Sequence, residues 1–168
     1  MEQSHCGYCG HRFETEEGWP RTCSKCRQTT WMNPLPAAVA LVPVYRGLGT
    51  PEGVLCILRG NHPGKGQLAL PGGFIETGET WREALSRELF EETGVRVDPE
   101  KVLLESVEDG MRRDRVMIFG KTPTIYRRDL SGFKVNNEVL EIVVITEPRR
   151  LAFPSHTDVV EGFFYDIP

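Results

Sequence analysis

The stretch Arg87-Glu88-Leu89-Phe90-Glu91-Glu92-Thr93-Gly94 constrains this chain more than any other, because it ends a helix against its own electrostatics. Hydrophobic spacing predicts a helix from about Thr80 to Thr93, with Gly94 as its stop. At about 100° per residue, with Glu88 as origin, Glu92 falls at about +40° and Glu91 at about −60°. The three acids share one face with Trp81, Ala84 and Leu85, one to two turns earlier. That face begins as core and ends as carboxylates. Acids at i, i+3 and i+4 repel one another and are repelled again by the negative end of the helix dipole, at roughly 0.3–1 kcal/mol per interaction. Arg87, about 100° round the helix, can orient or pair with one of them. Two readings stand: a solvated acidic helix end, or a ligand set for a divalent cation. Mg²⁺ or Mn²⁺ takes carboxylate oxygens, and Mg²⁺ keeps waters and accepts phosphate as a further ligand. A site of the second kind presents a cation to a polyphosphate.

A second constraint lies at the N-terminus, where Cys6-Gly-Tyr-Cys9 and Cys23-Ser-Lys-Cys26 form two C-x-x-C pairs 13 residues apart. A two-residue gap lets both thiolates of a tight knuckle face one ion, and two knuckles complete the tetrahedral shell of zinc. Gly7 and Gly10 give the first knuckle its turn freedom, whereas the second has Arg27 where a glycine is expected. Two disulfides are the other reading, disfavoured in a reducing compartment. His5 and His11 are either substitute ligands or flanking surface side chains. Residues 1–33 are therefore expected to form a zinc ribbon, too small to fold on apolar burial alone. Four basic residues (Arg12, Arg21, Lys25, Arg27) balance four glutamates (Glu2, Glu14, Glu16, Glu17), so the ribbon reads as structural or as an interface rather than as a nucleic-acid grip.

The remaining residues, 34–168, suffice for one globular domain of ordinary size. AAVALVPVY, GVLCILRG, KVLLESVE, RVMIFGKTPTIY and VLEIVVI read as strands, with Pro43 marking an edge or bulge and Cys56 as a buried core thiol. Residues 60–73 form a Gly/Pro-rich loop around a short strand, and Ser155 to Asp166 reads as an amphipathic helix behind a serine cap. A net charge of −4 gives no global basic field, so neither nucleic acid nor an anionic membrane is expected as a partner. MEQSHCGYCG carries no apolar leader core, and a cytoplasmic location is the expectation.

Extended both ways, the opening stretch becomes GFIETGETWREALSRELFEETGV, Gly73 to Val95. Gly73, Glu79, Arg87-Glu88-Leu89, Glu91-Glu92 and Gly94-Val95 stand at the spacing of the Nudix box, and the chain resembles the Nudix hydrolases. LPGG at residues 70–73 also resembles the family, although Leu68 replaces a frequent aromatic. The resemblance implies an α/β (α+β) fold for residues 34–168, an α/β/α sandwich with a mixed sheet. It also implies hydrolysis of a nucleoside diphosphate linked to another moiety. By the same resemblance Glu88, Glu91 and Glu92 are ligands of catalytic Mg²⁺ or Mn²⁺, Arg87 orients them, and a carbonyl at Gly72 is a further ligand. Glu79 acts through a second metal or a water. The general base is expected outside or within the box; Glu141, just before a strand, is the outside candidate, with Glu138 the neighbour to exclude and solvated loop acids the other reading of both.

A four-cysteine ribbon ahead of such a domain further resembles the NADH pyrophosphatase group. That group's Ser-Gln-Pro-Trp-Pro-Phe-Pro signature is replaced here by ESVEDGMRRDRV, which speaks against a specificity for NADH and leaves ADP-ribose, FAD or another dinucleotide open beside it. Arg112, Arg113 and Arg115 are expected either to reach substrate phosphates or to form a solvated turn. A homodimer is a family expectation. Two other functions compete: a nucleotide sensor or interaction module without turnover, and a prenyl diphosphate isomerase. The intact box and the lack of a basic helix-turn-helix or a suitably placed catalytic cysteine weigh against both.

Overall fold

The structure, a computed structural model, describes residues 4–14, 18–45 and 53–165. Asp166, the expected end of the last helix, and Glu2, Glu16 and Glu17 of the ribbon's charge balance lie outside the described residues. The chain forms two compact units, Met1–Pro34 and Leu35–Pro168.

In the first unit the two knuckles adopt the same turn. Cys6 N–H donates to His11 O and Gly10 N–H to Cys6 O, while Cys23 N–H donates to Gln28 O and Arg27 N–H to Cys23 O. Gly10 and Arg27 occupy equivalent places, at φ 70° and 64°. Arg27 thus takes the left-handed conformation that its position demands, at a cost of roughly 1–2 kcal/mol. A two-residue antiparallel pair, β1 (Arg21–Thr22) and β2 (Thr29–Thr30), leads into and out of the second knuckle. Among the described residues the cysteines are packed by Phe13 and Trp19, with the Arg21 guanidinium 4.3 Å over the Trp19 ring.

The second unit is built on two sheets. Its elements are β3 (Leu35–Leu41), β4 (Pro43–Tyr45), β5 (Gly53–Arg59), β6 (Leu68–Ala69), β7 (Gly72–Phe74), α1 (Trp81–Thr93), β8 (Leu103–Asp109), β9 (Arg115–Lys121), β10 (Ile125–Tyr126), β11 (Val139–Ile145) and α2 (Pro154–Tyr165). One sheet runs β7-β3-β9-β8, with β3 and β9 parallel and the outer pairs antiparallel. The other runs β10-β4-β5-β11, with β6 also paired to β5. The run expected as one strand, AAVALVPVY, therefore changes sheets at Val42-Pro43. Pro43 lacks the N–H that would continue the first ladder, and Val42 O instead accepts from Leu55 N–H at 3.0 Å.

Alternation along this run sorts the core. Ala38, Ala40, Val42 and Val44 pack with Ala84, Leu85 and Leu89 of α1, whereas Val39 and Leu41 pack with Val159, Val160 and Phe163 of α2. The result is the α/β/α arrangement that the resemblance implied. Cys56 is fully buried on the α2 side, where burial pushes its thiol up to about 12, as a core thiol should be. α2 begins one residue before the expected serine, at Pro154, because proline suits a first helical turn.

Candidate active site and metal centres

Helix α1 carries opposed devices at its two ends. Its N-terminus is a complete capping box: Thr80 Oγ1 accepts from Glu83 N–H, and Glu83 Oε2 accepts from Thr80 N–H at 2.7 Å. Its C-terminus stops at Gly94, φ 76°, whose N–H reaches Phe90 O at 2.8 Å. The last turn has no basic residue, so the acids there gain nothing from a local cap.

The three acids leave the helix on one side but do not end in one place. Glu92 turns inward, 6% exposed, and accepts the N–H of Gly72 on Oε2 at 2.8 Å. Glu88 lies under Gly73, where an added Cβ would stand 2.4 Å from its carboxyl carbon. Any side chain there would have to push the Glu88 carboxylate aside. Glu91 points outward, about half exposed. Arg87 stands among them as an internal cation. It holds Glu79 by two bonds (Nη2 to Oε1 at 2.7 Å, Nε to Oε2 at 3.1 Å), Glu88 at 2.8 Å, Glu91 at 3.4 Å, and the carbonyl of Phe74 at 3.1 Å. Helical spacing alone offered Arg87 one of the acids; it contacts two of the three and Glu79 besides. Glu79 has both oxygens engaged by Arg87 and one shared with Glu76 N–H, which holds its carboxyl below the usual range.

The charges are under strain. Burial pushes Glu92 up to about 8, against the Gly72 N–H and helped by the charges of Glu88 and Glu138. Burial also raises Glu88, against its bond to Arg87. Hard oxygen donors of raised pKa suit a hard divalent cation, which would act against both shifts.

Glu141 lies within β11 rather than before it, exposed and opposite Leu58 across the sheet. A bulge between Val139 and Glu141 sets this register. Glu138, one residue ahead of the strand, is the acid whose charge acts on both Glu88 and Glu92; its carbonyl accepts from Gly60 N–H at 2.7 Å and its own N–H is held by Asn136 Oδ1. Arg112 and Arg113 are exposed on the β8–β9 turn, while Arg115 places its guanidinium 5.2 Å from the ring of Phe74, the residue after Gly73.

Arg59, at the end of β5, was not singled out from the sequence. It donates to Pro63 O and Asn61 Oδ1 at 2.8 and 2.9 Å and lies over the ring of Phe153. Burial lowers its pKa, against the nearby charges of Glu92 and Glu138. Its only sequence signal is a cation ending an otherwise apolar strand.

The four cysteines differ in kind from this site. Cys6, Cys9, Cys23 and Cys26 bring their sulfurs within 4.8 Å of one another, the one group of three or more such ligands gathered this closely among the described residues. The Cys6–Cys26 and Cys9–Cys23 separations are both 3.7 Å. Sulfurs bound tetrahedrally at about 2.3 Å would stand about 3.8 Å apart, so the geometry is compatible with zinc. It is far from the roughly 2.05 Å of a disulfide. His5 and His11 are not members of the group. The N–H of Tyr8 holds the Cys6 thiol down to about 6, whereas Cys26, despite the N–H of Gln28, is pushed up to about 12 by burial and the other thiols.

No helix among the described residues is long and apolar enough to cross a membrane. Comparison with known proteins draws these features together. "NAD-capped RNA hydrolase NudC" of Edwardsiella ictaluri is 35% identical over 98 residues, covering 56% of this chain and 35% of that protein. The chain thus spans about a third of the length of the curated relatives it matches. A NUDIX hydrolase structure from Nitrosomonas europaea shares the fold, with a TM-score of 0.72 at 21% identity over 98% of this chain and 92% of that one. A bifunctional NMN adenylyltransferase/ADP ribose pyrophosphatase from Francisella tularensis, complexed with AMP and a Mn ion, is 29% identical over 69% of this chain and 35% of that one, with a TM-score of 0.55. The family model described as NUDIX domain matches residues 34–147, and the chain belongs to that family.

Proposed function

We propose that the chain hydrolyses the pyrophosphate bond of a nucleoside diphosphate linked to a second moiety, with a dinucleotide or nucleotide-sugar of the NADH, ADP-ribose or FAD kind as substrate. The observation that carries this reading is the buried Glu92 held by the Gly72 N–H and, one turn before it, the half-buried Glu88 against Gly73. Glu88, Glu92, the more exposed Glu91 and a carbonyl at Gly72 would hold Mg²⁺ or Mn²⁺, which supplies charge neutralisation for the phosphates and a water of lowered pKa. Arg87 keeps Glu88 and Glu91 aimed, and Glu79 keeps Arg87 aimed, so Glu79 acts by position. Glu138, whose charge acts on both Glu88 and Glu92, is the candidate for taking the water's proton in preference to Glu141. Arg59 offers positive charge to the substrate's phosphates from the β5 side. The cysteine unit holds structural zinc.

The expectation of no nucleic acid is not carried forward. Curated relatives are named NAD-capped RNA hydrolases, and a capped RNA ends in the same dinucleotide pyrophosphate chemistry. Release of mononucleotide from NADH, NAD, ADP-ribose, FAD, diadenosine polyphosphates, nucleoside triphosphates and NAD-capped RNA, with Mg²⁺ or Mn²⁺, tests the reading. Turnover of at least one pyrophosphate-linked dinucleotide is expected, falling at least about a hundredfold in Glu88→Gln with the fold intact. Nanomolar binding without turnover would establish the sensor instead.

A further inference from the structure

The strap between β6 and β7 has three anchors in three consecutive residues. Leu70 N–H donates to His156 Nδ1 at 3.1 Å, Pro71 O accepts from Ala40 N–H at 2.8 Å, and Gly72 N–H donates to Glu92 Oε2 at 2.8 Å. The chain leaves one sheet after Ala69 and joins the other at Gly72, so Leu70 has no strand partner where it crosses. Leu70 is also buried, and a buried N–H left unpaired is costly. His156, from the first turn of α2, meets that need across 86 residues of sequence.

The histidine's own surroundings give it little else. It is 4% exposed, with the rings of Phe119 and Phe153 at 5.4 and 5.0 Å. Since Nδ1 accepts, the ring proton sits on Nε2, which has no hydrogen-bond partner among the described residues. Burial and then the charge of Arg59 push its pKa down to about 3, so Nδ1 stays an acceptor at any ordinary pH. An apolar side chain would fill this place without an orphaned Nε2 but would strand the Leu70 amide. The anchor's value lies two residues on, at Gly72 and Glu92.

We infer that His156 is a positioning residue of the metal site: by holding the Leu70 amide it fixes where Gly72 presents its N–H, and so aims the Glu92 carboxylate. This rests on the reading of Glu92 as a metal ligand. Asparagine can return an acceptor at the Nδ1 position, whereas leucine fills the volume without one. Mn²⁺ alone is titrated into the zinc-loaded full chain, with Glu88→Gln as the blank, and thermal midpoints are measured alongside. His156→Leu is expected to weaken Mn²⁺ binding about tenfold. His156→Asn should stay within about twofold of the natural chain, even though its smaller side chain lowers the midpoint at least as far. Natural binding by His156→Leu, or losses in both variants that follow their midpoints, overturns the inference. Failure of the natural chain to bind Mn²⁺ overturns the metal reading of α1 and this inference together.

Discussion

Both the ribbon and helix α1 gather groups that ionise to like charge, but among the described residues only the ribbon closes them on one point. Its four sulfurs lie within 4.8 Å of one another and its apolar support is two aromatic rings. The carboxylates of α1 are spread from the buried Glu92 to the exposed Glu91, Arg87 stands between them, and a full core lies beneath. A closed ligand set with almost no core is a folding device. An open set on a finished core is a place for chemistry, because its helix does not need the ion to exist. Stability and metal binding should be one quantity in the first region and two in the second.

The largest effect that could break this contrast is zinc removal. Stripping the ribbon should unfold it outright, since structural zinc supplies about 10–16 kcal/mol to units of this kind. The second unit should keep its own cooperative transition. Circular dichroism melts with metal analysis, together with amide exchange resolved by region, read both. A ribbon that stays protected without metal would place its stability in Phe13, Trp19 and the β1–β2 pair instead.

In the helix the same contrast becomes a dependence on pH. The folded pKa of Glu92, about 8, lies above the ordinary carboxylate value of 4.5, so the metal-free fold holds a proton that the unfolded chain has released. Stability from this group is full below about 4.5 and is lost as pH rises through about 8. The midpoint of the metal-free second unit should therefore fall by several degrees from about pH 5 to about pH 8.5. Saturating Mg²⁺ should raise it more at the upper end than at the lower, with a proton released on binding near neutrality. Calorimetry in buffers of different ionisation heat counts that proton. An Mg²⁺ response independent of pH would show that Glu92 is already ionised, and the site would lose its strain.

What could be read in the sequence was what local spacing encodes. The capped helix follows from Thr80, Glu83 and Gly94, and the knuckles follow from two C-x-x-C pairs; even Arg27 was visible as the residue where glycine was wanted. The change of sheet at Val42 was hidden inside an unbroken apolar run, where Pro43 suggested an edge but not a second layer. Glu138 and Glu141 were not separable from spacing, because the bulge between Val139 and Glu141 that sets the register of β11 leaves no local signature. Arg59 and His156 owe their places to contacts across the fold, with Phe153 and Leu70 respectively; the one local sign of either is that Arg59 ends an apolar strand. Arg87 was legible as a cation near acids, but its two bonds to Glu79 needed the loop's path.

The smallest effect tests the separation within α1 itself. Thr80 caps the first turn and touches none of the acids at the other end, so Thr80→Ala should cost about 1 kcal/mol of stability. For a domain of this size that is roughly 2–4 °C in the midpoint. Mn²⁺ affinity should remain within about twofold, because the positions of Glu88 and Glu92 are set by Gly73, Arg87 and Gly72 rather than by the cap. Substituting one ribbon cysteine offers no such division, since a lost sulfur removes metal and fold together. If Thr80→Ala weakens Mn²⁺ binding in proportion to the lost stability, the helix is coupled to its ion as the ribbon is, and the distinction between a folding metal and a working one fails for this chain.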